Sequence, residues 1–352
     1  MGQRGRIALE INAISPKLSG AEKVEQGRPI VRRRAFGSTG MQVGALGLGG
    51  AEIGFEHSTD QTVDALLGIA LDAGINVIDT AAMYDDSEEK IGRALAGRRG
   101  RFLLFTKCGR YEPPVRSVPG FALRVRRKLR RWMGLARQSE APLDWRPSAL
   151  KWNIDQSLRR LRTDCVDLIQ LHTCSESLLR EGDVIDVLHR ARKAGKVRHI
   201  GYSGDGTAAL YALQCGLFDA VQMSINIADQ EALDSALPLA LERGVGVIAK
   251  RPIANGLWRN PERPQSLDNQ AYWDRLRTLR YDFVEGRRTF EMALRFTLSV
   301  PGVHTAIVGT TSPEHLLQNA RHAASGPLAQ HEFDTIRARW NQVSTPAWIG
   351  QT

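Results

Sequence analysis

The fold class that the sequence predicts is α/β, a (β/α)8 TIM barrel forming a single domain, and three observations carry that reading. From about Arg33 onward, short apolar or β-branched runs alternate with stretches at helical spacing. Such alternation requires a parallel sheet, because each strand has to be returned to the same end by a crossover. Eight such units over roughly 300 residues suit a closed barrel better than an open sheet. No GxGxxG follows the first strand: residues 45–50 are glycine-rich, but at the wrong spacing for a doubly wound, dinucleotide-binding sheet.

The strand candidates are residues 45–49, 76–79, 102–106, 167–171, 197–201, 220–223, 245–249 and 305–308. Helical spacing marks residues 59–73, 87–96, 148–161, 184–194, 206–215, 233–243, 289–299 and 313–323. In the first helix Val63, Leu66, Leu67 and Ala70 recur on one face, with Ser58 or Asp60 placed to cap it. Gly74, Gly195 and Gly244 each stand where a helix turns tightly into a strand, a place for a left-handed residue. Residues 31–345 are therefore expected to form the barrel. Residues 1–30 lack periodicity and read as a flexible extension, and residues 346–352 as a tail. Residues 110–147 lie between the third strand and the third helix, far exceeding the usual βα connection of about two to six residues. Within this insert, Phe121, Val125, Leu129 and Trp132 line one side of a short basic amphipathic helix. Its stripe either packs on the barrel mouth or docks an acidic partner or an anionic surface.

Hydrophobic residues at 42% and charged residues at 24% of 352 exclude a disordered, collagen-like or fibrous chain. No run approaches the roughly 18 apolar residues of a membrane span, and the N-terminus builds no signal-peptide core, so the cytoplasm is the expected compartment. Cys108, Cys165, Cys174 and Cys215 form no CxxC pair and read as reduced thiols, with no metal site. The net charge of +10 is uneven: residues 1–34 carry a net +5, residues 110–146 a net +7, and the remainder about −2. The body is a near-neutral globule with two basic attachments, so no nucleic-acid partner is expected.

Catalytic groups of a parallel barrel belong at the C-terminal ends of its strands. Asp79 closes the second strand candidate, Lys107 follows the third and His172 follows the fourth. Any one of these alone reads as a structural ion pair or a core histidine. All three on successive strands, joined by Tyr84 five residues beyond Asp79, read as a site.

On these residues the chain resembles the aldo-keto reductase family. The resemblance rests on Asp79 through Tyr84, the following Ser87 to Gly92, Thr106-Lys107, and the stretch from Asp167 to His172. Residues 36–50 look like the family's opening hairpin and first strand, and the segments around Ser203, Gln222 and Gly309 like its cofactor side. The resemblance implies a catalytic tetrad of Asp79, Tyr84, Lys107 and His172. Tyr84 would be the general acid, its phenol pKa lowered by the Lys107 ammonium, which Asp79 orients, while His172 would bind the carbonyl oxygen. It also implies a nicotinamide dinucleotide, NADP(H) ahead of NAD(H), and no metal. Ser203 and Gln222 match the positions that hold the carboxamide. Gly309, Thr310, Thr311 and Ser312 lead into a helix with Pro313 in its first turn, suited to phosphate, and Asn319 matches an adenine contact.

This chain departs from the family pattern at four places. Gly204 replaces the asparagine common after the matching serine, and Lys250, followed by Arg251, replaces the aromatic residue that stacks on the nicotinamide. His315 stands at the position of the arginine that grips the 2′-phosphate, and Asp85 at a usual glycine. The expected activity is NAD(P)H-dependent reduction of a small-molecule aldehyde or ketone, the alternative being a catalytically slow regulatory or scaffold protein on the same barrel. The segment 255–283 and the insert would meet the substrate, with Trp258, Tyr272 and Trp273 either walling an apolar pocket or anchoring a surface loop.

Overall fold

The computed structural model describes residues 29–110 and 143–351. The expectations for residues 1–28, and for the amphipathic helix within the insert, concern residues outside these.

The chain begins with an antiparallel hairpin of β1 (Arg33–Ala35) and β2 (Gln42–Gly44). Eight parallel strands follow: β3 (Leu46–Gly49), β4 (Val77–Asp79), β5 (Leu103–Cys108), β6 (Val166–His172), β7 (Val197–Ser203), β8 (Ala220–Ser224), β9 (Gly246–Lys250) and β10 (Thr305–Gly309). They close into a barrel in chain order, β10 pairing with both β9 and β3. The predicted (β/α)8 barrel is therefore the fold observed. Inside it Val77, Phe105, Leu168, Ala220, Ile248 and Ile307 form one buried cluster, which Phe36, Met41 and Val43 of the hairpin plug from below. Phe36 stacks on Phe105 with ring centroids 5.8 Å apart.

The helices are α1 (Ala51–Phe55), α2 (Asp60–Asp72), α3 (Ser87–Ala94), α4 (Pro147–Leu161), α5 (Glu176–Glu181), α6 (Asp183–Lys193), α7 (Gly206–Gln214), α8 (Glu231–Asp234), α9 (Ala236–Glu242), α10 (Leu267–Leu279), α11 (Thr289–Ser299), α12 (Pro313–Ala324) and α13 (Gln330–Val343). Gly74, Gly195 and Gly244 have φ of +76°, +72° and +62°, the left-handed turn expected after α2, α6 and α9. The cap of α2 is neither Ser58 nor Asp60. Thr59 supplies it, its hydroxyl accepting from the Thr62 amide at 3.1 Å. The single helix expected over 233–243 is broken at Ser235. Pro238 explains the break, since its ring would strike the Asp234 carbonyl in a continuous helix, whereas in the first turn of α9 its missing N–H costs nothing.

Strand pairing sets the mouth of the barrel. Gly49 pairs with Asp79, Lys107 with Gln170, and His172 with Ser203, which pairs in turn with Gln222. At the insert, Arg110 and Leu143 form an antiparallel bridge that holds the two ends together.

Two helical glycines differ in what surrounds them. A Cβ on Gly92 of α3 would lie 2.7 Å from the Leu161 carbonyl carbon of α4, whereas Gly68 of α2 has open space. Gly92→Ala should lower stability by about 1–3 kcal/mol despite alanine's better helix propensity, through overpacking. Gly68→Ala should raise it by up to about 1 kcal/mol. Thermal unfolding of the two variants checks both signs.

Candidate active site

Four strands bring polar side chains to one buried point at the C-terminal mouth. The Lys107 ammonium lies 2.6 Å from Asp79 Oδ2 and donates to the Thr80 carbonyl at 3.0 Å. Both side chains of this pair are almost fully buried. Asp79 also accepts from Gln170 at 3.3 Å and from Gln222 at 3.0 Å, so the carboxylate that balances the lysine is itself bonded from β6 and β8. Lys107 lies within β5 and His172 is the last residue of β6, where sequence reading placed each just beyond a strand.

Tyr84 follows β4 in a loop packed against α1. The Lys107 ammonium is 5.2 Å from the centre of its ring, and His172 meets that ring edge-on at 5.8 Å. Burial pushes the Tyr84 phenol above its ordinary value, and the opposing pull of Lys107 is outweighed, with Asp79 and Glu52 reinforcing the rise. The net direction reverses the sequence expectation, because burial outweighs the field of the lysine, which the carboxylate that fixes it further offsets. Burial works against the Lys107 ammonium, yet Asp79 and the Tyr84 hydroxyl raise its pKa overall. His172 is driven well below the usual histidine value by burial and by Lys107, Arg110, Lys250 and Arg251. Its imidazole is therefore neutral at neutral pH, and its Nδ1 is buried without a partner. Asp85, at the position of a familiar glycine, has φ of +47°, so the loop keeps a left-handed turn that a carboxamide- or carboxylate-bearing residue tolerates better than most.

The proposed cofactor residues fall on the same face. Ser203 donates to the Gln222 side-chain carbonyl at 3.0 Å, and both are buried. Donor and acceptor groups side by side fit an amide-bearing ring. Gly204 leaves little room for a side chain: a Cβ there would lie 2.7 Å from Tyr202 Cζ, and the Tyr202 hydroxyl is committed to the Cys174 carbonyl at 2.8 Å. Lys250 is not free to stack, being paired with Asp205 at 2.8 Å in a half-buried position, where loss of solvent lowers its pKa.

The loop 309–312 is partly committed to itself. Thr310 accepts from the Ser312 amide at 3.0 Å, and Ser312 caps α12 by accepting from the His315 amide at 3.2 Å. Thr311 donates to Glu56 Oε2 at 2.9 Å, and a Cβ on Gly309 would lie 2.7 Å from Glu52 Oε1. The short helix α1 and the residue that ends it thus set Glu52 and Glu56 against the expected phosphate loop, a feature that sequence reading missed because five residues give no periodic signal. Asn319 is buried on α12.

A second polar cluster lies where β7, β8 and β9 end. Asp205 accepts from the Ser224 amide and hydroxyl at 2.6 and 3.1 Å. Asp229, fully buried, accepts from the Tyr272 hydroxyl at 3.0 Å and faces Arg275 at 3.5 Å. Tyr272 is therefore a buried partner of Asp229, while Trp258 packs on Phe290 and Trp273 donates to the Asn260 carbonyl.

The sequence profile of the Aldo/keto reductase family matches residues 42–341. An uncharacterized oxidoreductase of Bacillus subtilis, YqkF, is 26% identical over 89% of this chain and 97% of its own length. L-galactose dehydrogenase of Arabidopsis thaliana is 26% identical over 90% of this chain and 97% of that protein. Among solved structures, the holo form of aldo-keto reductase AKR11C1 from Bacillus halodurans superposes with a TM-score of 0.71 at 26% identity, covering 88% of this chain and 96% of that one. An aldo-keto reductase from Klebsiella pneumoniae in complex with NADPH shares the fold, with a TM-score of 0.63 at 24% identity, covering 88% and 95%.

Burial raises the Asp229 carboxyl from 3.8 to about 7, so the folded chain retains a proton there that the unfolded chain has released. Between those two values the folded state binds more protons, and this group's contribution to stability falls as pH rises. Asp229→Asn should remove that slope. Urea unfolding at pH 4.5 and 7.5 should find the variant gaining about 3 kcal/mol relative to the parent chain across the interval.

Proposed function

This chain belongs to the Aldo/keto reductase family, and on that premise we propose that it reduces an aldehyde or ketone to an alcohol with a nicotinamide dinucleotide. The observation that carries the reading is the convergence of Asp79, Lys107, His172 and Tyr84 at one end of the barrel. When bound, the dinucleotide supplies the hydride. As negative charge builds on the carbonyl oxygen, Tyr84 gives up its phenolic proton to it. The raised phenol pKa keeps Tyr84 protonated until that moment. The Lys107 ammonium then stabilises the phenolate, and Asp79 holds the ammonium in place. The neutral His172 positions the carbonyl oxygen by hydrogen bonding and does not compete as an acid. Ser203 and Gln222 would hold the carboxamide. Lys250, Arg251, Gly309, Thr310, Thr311, Ser312, His315 and Asn319 would line the remainder of the dinucleotide.

NADP(H) is the first choice, in keeping with the NADPH complex of the Klebsiella neighbour. A specific observation favours NAD(H) as the second reading: Glu56 is bonded to Thr311, and a carboxylate there suits a ribose hydroxyl and repels a phosphate. Equilibrium binding of NADPH and NADH separates the two.

Tyr84→Phe should reduce carbonyl turnover between about 100- and 10,000-fold while leaving dinucleotide affinity within about twofold. Steady-state kinetics over an aldehyde panel, with fluorescence titration of the reduced dinucleotide, checks both. Undiminished turnover by the variant would remove Tyr84 from the mechanism.

A further inference from the structure

After α13 the chain returns to the barrel mouth. Trp348 packs against Trp340 at 5.3 Å and under the Arg275 guanidinium at 5.5 Å. Arg275 also donates to the Ile349 carbonyl at 2.6 Å. Gly350 is pressed against Asp205, where a Cβ would lie 2.6 Å from the carboxyl carbon. The Gln351 amide donates to Asp229 at 3.3 Å, and its carbonyl accepts from the Arg251 guanidinium and lies 3.0 Å from the Ser224 hydroxyl, which shares its one proton between this carbonyl and Asp205. The segment is therefore seated by side chains of β8, β9 and α10, and it ends on Arg251.

The position of Arg251 in the barrel gives this contact its meaning. Strand order runs β7, β8, β9, β10. Ser203 and Gln222 terminate β7 and belong to β8, while the loop 309–312 follows β10. An extended ligand joining those two places must cross the end of β9, where Lys250 and Arg251 stand. Lys250 ends β9 and Arg251 follows it, at the same C-terminal end of the barrel at which His172 ends β6. Two cations at that crossing suit the pyrophosphate of a dinucleotide. Lys250 is held by Asp205, and Arg251 by the Gln351 carbonyl.

We propose that residues 348–351 form a displaceable strap across the end of β9, which a bound dinucleotide must lift from Arg251. The inference rests on the dinucleotide reading above. The strap is made of backbone contacts to charged side chains, a type of bond each worth enough to be felt in affinity. Its release is local, because α13 and the Trp340 side chain lie upstream of the contacts that break.

The test compares the full chain with two variants, deletion of residues 350–352 and Gly350→Ala, the second unseating the strap by collision with Asp205. Fluorescence titration with NADPH and with NADH should give about tenfold tighter binding to both variants. In the full chain, saturating dinucleotide should speed hydrogen exchange in the peptide that contains residues 348–351. Unchanged or weaker binding in both variants, or slower exchange of that peptide, overturns the strap and leaves the dinucleotide reading standing. Failure of every chain to bind either dinucleotide overturns that reading and the strap with it.

Discussion

The buried ion pair between Asp79 and Lys107 is the constraint on which the mouth of this barrel depends. Two charges taken out of water at this depth are tolerable only when their remaining hydrogen-bonding capacity is met. Here β4 and β5 supply the charges, while Gln170, Gln222 and the Thr80 carbonyl supply the bonds. The pair therefore ties four strands to one point and fixes what surrounds it. Tyr84 is set beside the ammonium, His172 is kept neutral by burial and, after it, by the cations around it, and Ser203 is held by the amide that also serves Asp79. Gln222 thereby belongs to the ion pair and to the proposed carboxamide site at once.

The barrel was legible because its signals are local. Apolar runs, helical spacing and glycine turns each lie within a dozen residues, and the eight strands appear in the predicted order with ends shifted by a residue or two. At the ends of β5 and β6 the shifts share a cause: Lys107 and His172 read as breaks in hydrophobicity, yet their backbones continue the ladder. The break before α9 was also legible in principle, through Pro238. The acidic face of α1 and the cluster around Asp229 were not. Their partners lie far along the chain, as Gln351 does from Asp229 and Thr311 from Glu56, and no spacing rule reaches across such distances.

The departures from the family pattern fall into two kinds once their neighbours are known. Gly204 and Asp85 preserve the backbone, the first because the Tyr202 ring fills the adjoining space, the second because the left-handed turn is retained. Lys250 and His315 change the chemistry. Where the resemblance implies an aromatic face, Lys250 is a half-buried charge paired with Asp205, and Asp205 in turn accepts from Ser224, which also reaches the segment near Gln351. One substitution at the end of β9 thus brings with it a polar assembly on three strands, and Asp229 carries part of the cost as a carboxyl that burial keeps from ionising freely.

The bridge between Arg110 and Leu143 separates the insert from the machinery it adjoins. The bridge clamps the two ends of this connection in register, so a change in its length meets β5 and α4 at the same two points. Each doubling of such a loop adds only about 0.6 kcal/mol of closure entropy. The third βα connection is therefore an exchangeable module: evolution or design can rewrite its sequence, and so what the barrel meets on that side, while the ion pair beneath it stays the same.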